Sequence, residues 1–157
     1  MVQTRLALYY AAFFGANGVF LPFWPVWLTS RGLSATDIGI LFACISIARI
    51  LVTPMIAQIA DRRGSRKGVI VALAAISSVA YCFYYLSYGL VPILIVALIA
   101  ATTWSGGQPL GESLTVAAAR EGGFEYGRVR LWGSIAFIVV AAAAGKLLDG
   151  RDADVIF

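Results

Sequence analysis

Asp61-Arg62-Arg63-Gly64-Ser65-Arg66-Lys67 decides how this chain is read. Five of these seven residues are charged, and long apolar stretches flank them on both sides. Upstream, the block from about 35 to 60 carries only Asp37 and Arg49; downstream, the block from about 68 to 88 carries no charge. A helix needs about 20 residues, at about 1.5 Å each, to cross the hydrocarbon core of a bilayer. Both blocks meet that length. A tight basic turn between two such blocks is the loop of a membrane helical hairpin, with Gly64 as the left-handed stop of its first helix.

Three more apolar blocks extend this pattern, at about 6–28, 92–119 and 126–148. Ser30-Arg31-Gly32 ends the first. Ser34 or Thr36 can cap the next, and Asp37 suits the positive end of that helix. Gly89-Leu90-Val91-Pro92 turns the third block into the fourth. After the fifth, Asp149-Gly150-Arg151-Asp152 makes a polar loop and Val155-Ile156-Phe157 opens another apolar run. The expectation is an all-α polytopic membrane protein with five transmembrane helices and the start of a sixth. The expectation includes that its 157 residues are the N-terminal transmembrane half of a longer protein, with the C-terminal half absent.

Composition supports the same environment. Hydrophobic residues make up 61% of the chain and charged residues 13%, with a mean hydropathy of +0.86; soluble domains carry about 25% charge. Cys44 and Cys82 lie inside apolar blocks and read as small packing residues, not a disulfide. With no histidine, any proton chemistry falls to carboxylates. No metal-ligand cluster, nucleophile triad, phosphate loop or nucleotide fingerprint occurs, which points away from an enzyme and from a resident cofactor. The first block lacks a cleavage site and outruns a signal peptide, so it reads as a retained span.

The net charge of +4 reflects topology, not nucleic-acid binding. Eight basic residues (Arg5, the four of the 61–67 loop, Arg120, Arg128 and Arg130) fall on one side of the five-span arrangement, and three fall on the other. The positive-inside rule then makes the N-terminus cytoplasmic.

Ionisable groups inside a span cost about 2.5–3.5 kcal/mol each, so each needs a reason. Ser105, Gln108, Glu112 and Thr115 follow 3-4-3 spacing and share one face of the fourth helix, facing the bundle or a water-filled cavity. Gly106, Gly107 and Gly111 lie on adjoining faces and would let a neighbouring helix approach. Arg130 sits one turn into the fifth helix, on a face with Tyr126, Ser134 and Phe137. It either pairs with Glu112 from the antiparallel neighbour or snorkels to the headgroups. Arg49 lies mid-span with Ser46 and Thr53; it either pairs with a carboxylate of the missing half or supplies charge for an anionic ligand. In the first helix, Asn17 stands among Phe13, Phe20 and Trp24, and Pro22 and Pro25 interrupt the hydrogen-bond ladder.

Three stretches together resemble the major facilitator superfamily. The 61–67 run resembles the basic loop between that family's second and third helices, with Ala57 where the family has glycine and Ser65 where it has arginine. Phe20-Leu21-Pro22-Phe23-Trp24-Pro25-Val26-Trp27-Leu28 resembles the first helix of the branch that holds the lactose and phenylpropionate permeases. Tyr126-Gly127-Arg128-Val129-Arg130-Leu131-Trp132-Gly133-Ser134, preceded by Glu112, resembles the same branch, closest to its 3-phenylpropionic acid transporter group. The resemblance covers essentially the whole chain, as helices one to five of twelve.

The resemblance implies the N-terminal helical bundle of the major facilitator fold, in a bacterial inner membrane. It also implies alternating access about a midplane site. It makes Glu112 and Arg130 a substrate-binding pair with Phe137 beside them, and Arg49, Gln108 and Asn17 join the expected binding site by their positions within the spans. Asp61, Arg62, Gly64, Arg66 and Lys67 form a gating loop. Phe137 replaces the tryptophan on which the galactoside branch stacks sugar. The expected activity is proton-coupled symport of a small organic acid, aromatic in keeping with the site's rings, without a cofactor beyond the proton. The branch's proton-coupling carboxylates lie mainly in the second half. The alternatives are a sugar or nucleoside symporter and a non-transporting membrane scaffold. The expected partners are a small-molecule substrate, the lipid bilayer and the C-terminal half, with no nucleic acid.

Overall fold

A computed structural model describes residues 2–148. Among them are five α-helices and no strand: α1 (Val2–Ser30), α2 (Ala35–Arg63), α3 (Arg66–Tyr84), α4 (Leu90–Gly122) and α5 (Tyr126–Leu148). All five are long and apolar enough to cross a membrane, the shortest having 19 residues. The expected polar loop at 149–152 and the sixth apolar run lie outside the described residues.

Local chemistry sets the helix ends. Ser34 caps α2 in a full capping box: its hydroxyl accepts from the Asp37 amide, and the Asp37 carboxylate accepts from the Ser34 amide at 3.0 Å. Gly64 closes α2 at φ +61°, a left-handed conformation that costs a residue with a Cβ about 1–2 kcal/mol. Gly89 and Gly123 take the same conformation before α4 and before α5. Helix α3 stops at Tyr84, four residues before its apolar block does. Leu86 and Tyr88 continue that block as exposed residues of a turn. Helix α4 starts at Leu90, so Pro92 falls in its first turn, where no amide needs an intrahelical acceptor.

The helices form two compact units. One contains α2, α3 and α4 up to Leu114. Its core joins Ile56 and Ala60 of α2, Val69 and Leu73 of α3, and Leu110 of α4. Ser77 of α3 donates to the Ala100 carbonyl of α4 at 3.3 Å, and Tyr81 sets its ring edge-on to Trp104 with centroids 6.2 Å apart. A Cβ on Gly106 would run into the Ile56 side chain, so α4 presents bare backbone to α2 there. This is the close approach expected of Gly106, whereas a Cβ on Gly107 would meet nothing within 4 Å.

The other unit pairs α1 with α5 and takes in the last turns of α4. Gly18 is buried against the α5 backbone, and Gly133 is buried against Phe14 and Tyr10 of α1. In both units large apolar side chains face outward; Ile50 is 72% exposed and Leu8 is 65% exposed. Water would not tolerate so many such faces, whereas lipid solvates them. The chain is a multi-pass membrane protein.

Candidate functional site

Within the α2–α4 unit, the polar face of α4 is already organised. Gln108 Nε2 donates to Glu112 Oε1 at 3.3 Å, one helical turn apart, and both side chains are half-buried. The bond satisfies part of the carboxylate and aims it along the face that the 3-4-3 spacing defines. Ser105, on the same face, donates to the Thr102 carbonyl of its own helix at 3.3 Å. Thr115 continues the row and is fully buried. Pro109 stands beside this row and removes one backbone amide from the α4 ladder.

Arg49 is exposed midway along α2. It lies within electrostatic range of Tyr81 and Tyr84 on α3. Ser46, one turn before it, turns its hydroxyl onto the Phe42 carbonyl at 2.8 Å. In this row Ser46 thus spends its hydroxyl on its own helix, and Arg49 places a cation near the α3 tyrosines.

The basic loop is tied down at one point. Arg66 bonds Asp61 through Nη2 at 3.0 Å and Nε at 3.3 Å, and its Nη1 donates to Ser113 of α4 at 3.3 Å. One guanidinium thus fastens the end of α2, the start of α3 and α4 together. Arg62 and Lys67 are exposed, and Gly64 supplies the turn between the helices. Ser113 was not anticipated from the sequence. The only available signal was its position next to Glu112, on a neighbouring face of α4.

Within the α1–α5 unit, Asn17 is half-buried and donates its amide to the Phe13 carbonyl of its own helix at 2.9 Å. The next residue, Gly18, lies under Phe137, whose carbonyl oxygen would stand 2.7 Å from a Cβ there. Asn17 is thus next in sequence to the Gly18–Phe137 crossing. Phe20 and Trp24 stack further along α1 with centroids 4.8 Å apart.

Arg130 is half-buried and packs against rings of α1. Its Cζ sits over the Phe14 ring at 3.8 Å from the centroid and 5.6 Å from the centroid of Tyr10. Tyr10 and Phe14 are functional candidates that the sequence did not flag. Arg128, two residues earlier, bonds Glu125 at 3.5 Å with both side chains largely exposed, an outer-surface pair of little energetic weight.

The α2–α4 unit thus offers a half-buried carboxylate and amide at Glu112 and Gln108, and the α1–α5 unit a half-buried amide and guanidinium at Asn17 and Arg130. Such groups suit hydrogen bonding and charge contacts with a small polar molecule. Among the described residues there is no cluster of acids, cysteines or histidines able to hold a metal ion.

Comparison with known proteins gives the family. The chain is 35% identical over 98% of its length to the probable 3-phenylpropionic acid transporter of Escherichia coli K12. It is 32% identical over 99% of its length to the maltose permease of Geobacillus stearothermophilus, and 31% identical over 90% to the raffinose permease of Escherichia coli. The chain spans 41%, 40% and 35% of those proteins, respectively. The model of the MFS_1 like family matches residues 3–156. With five membrane-length helices and relatives that are transporters and permeases, the chain belongs to the MFS_1 like family of major facilitator transporters, not to an enzyme family.

Proposed function

We propose that this chain is the N-terminal half of a proton-coupled symporter that imports a small organic acid. In this reading it sits in a bacterial inner membrane with its N-terminus in the cytoplasm. Glu112 and Arg130 are both substrate-binding groups, and with Arg49 the binding charges sum to net positive. That charge favours a carboxylate, and Phe137 and the α1 rings favour an aromatic group on it. The single observation carrying the reading is the half-buried Glu112, held by its bond to Gln108 on the polar face of a membrane-length helix. A scaffold has no use for a buried carboxylate at an insertion cost of about 2.5–3.5 kcal/mol. The 35% identity to a probable 3-phenylpropionic acid transporter supports the acid.

The second reading is a sugar symporter, favoured by the raffinose and maltose permeases among the relatives. Uptake of labelled 3-phenylpropionate and raffinose by the full-length protein separates the two. Acid uptake that rises with an inward proton gradient is expected. Sugar uptake without acid uptake would replace the first reading with the second.

A further inference from the structure

Two rows of residues face each other across the α1–α5 pair. Tyr10, Phe14 and Gly18 recur every four residues on α1, and Tyr126, Arg130, Gly133 and Phe137 recur at 4-3-4 on α5. The Phe14 ring is held on several sides. Gly133 gives it a flat seat: a Cβ there would stand 2.8 Å from Phe14 Cδ2. Phe13 meets it edge-on, with centroids 5.3 Å apart and planes at 68°. Tyr10 lies nearly parallel to it, 6.2 Å away at 15°, and is itself braced edge-on by Tyr126 at 6.4 Å. Tyr10 is 1% exposed. The guanidinium of Arg130 lies over this braced pair.

A guanidinium presents two different surfaces. Its face is attracted to the negative face of an aromatic ring, while its five N–H donors point outward in the plane. A carboxylate that fixed Arg130 would consume some of those donors. An aromatic face consumes none and still offsets part of the cost of a cation at membrane depth.

We propose that Phe14, backed by Tyr10, is a positioning residue for Arg130: it holds the guanidinium by its face and leaves the edge free to grip a substrate carboxylate. This rests on the reading of Arg130 as a substrate-binding group. It also requires an arginine, because a lysine has no planar edge to present.

The test replaces Phe14 of the full-length transporter with phenylalanines carrying one, two and three fluorines. Fluorination drains the negative ring face and barely changes the ring's shape, so folding and insertion are preserved. The probe is 3-phenylpropionate; a wild type that imports raffinose and not this acid would overturn the carboxylate grip. KM is expected to rise stepwise, by about ten-fold at three fluorines, the size that a desolvated cation–π contact carries. The maximal rate should change little. Phe14→Tyr should keep a near-normal KM, and Phe14→Leu should match or exceed the trifluoro variant. A flat KM across the fluorinated series, with Arg130→Ala inactive, would overturn the positioning role and leave Arg130 as a binding residue. Undiminished uptake by Arg130→Ala would instead overturn the substrate-binding reading, and the positioning role with it.

Discussion

Gly18 and Phe137 bring the backbones of α1 and α5 into direct contact: a Cβ on Gly18 would lie 2.7 Å from the Phe137 carbonyl oxygen and 3.2 Å from the Ala141 amide. Backbone cannot swing aside as a flexible side chain can. Gly18→Ala is therefore expected to force the two helices apart and destabilise the protein by about 1–3 kcal/mol. Gly15, one turn earlier, makes a fair control, because a Cβ there would meet Val140 Cγ2 at an ordinary 3.6 Å. Thermal unfolding of the two variants in detergent checks this: Gly18→Ala should melt well below wild type, and Gly15→Ala close to it.

The α2–α4 contact at Ile56 and Gly106 has a different character, since the obstacle there is a side-chain terminus. Gly106→Ala alone should cost about 1–3 kcal/mol, and Ile56→Val alone about 0.5–1.5 kcal/mol. Removing Cδ1 clears room for the new methyl, so the double variant should be more stable than the sum of the two losses. A double-mutant cycle read by thermal unfolding measures that coupling.

Arg66 predicts a split between stability and function. Its ion pair with Asp61 is between exposed side chains, 42% and 61% accessible. Such pairs contribute about 0–1 kcal/mol. Asp61→Asn should therefore shift the melting temperature little. It should also loosen the hold of Arg66 on Ser113 and so lower uptake more than stability. Uptake and melting temperature measured on one preparation test this; parallel losses would make the latch purely structural.

The ends of α2 give a local test. Ser34→Ala removes the capping box and should cost about 0.5–2 kcal/mol. Gly64→Ala places a Cβ at φ +61° and should cost about 1–2 kcal/mol. Hydrogen exchange should show faster exchange in the first turn of α2 for the former and around the 61–67 loop for the latter.

These cases show what was legible in the sequence. Ser34 with Asp37, and Gly64, were readable because caps act over three or four residues. The Gln108–Glu112 bond was readable because helical periodicity puts those residues one turn apart. The end of α3 was not, because hydropathy tracks where lipid lies, and Leu86 and Tyr88 remain apolar after the helix has stopped at Tyr84. Helix α4 likewise runs beyond its apolar block to Gly122, since Arg120 and Glu121 are good helix formers. The aromatic support of Arg130 comes from Phe14, far away in the chain, and periodicity within α5 carries no record of α1. The four-residue row Tyr10, Phe14, Gly18 was the available hint, and it becomes a signal only once α1 and α5 are known to pair.

The most direct test of the account is Glu112→Ala in the full-length protein, with uptake and membrane insertion measured side by side. The account predicts normal insertion and loss of substrate uptake, since the half-buried carboxylate is there to bind. Normal insertion with undiminished uptake would contradict it and remove Glu112 from the site.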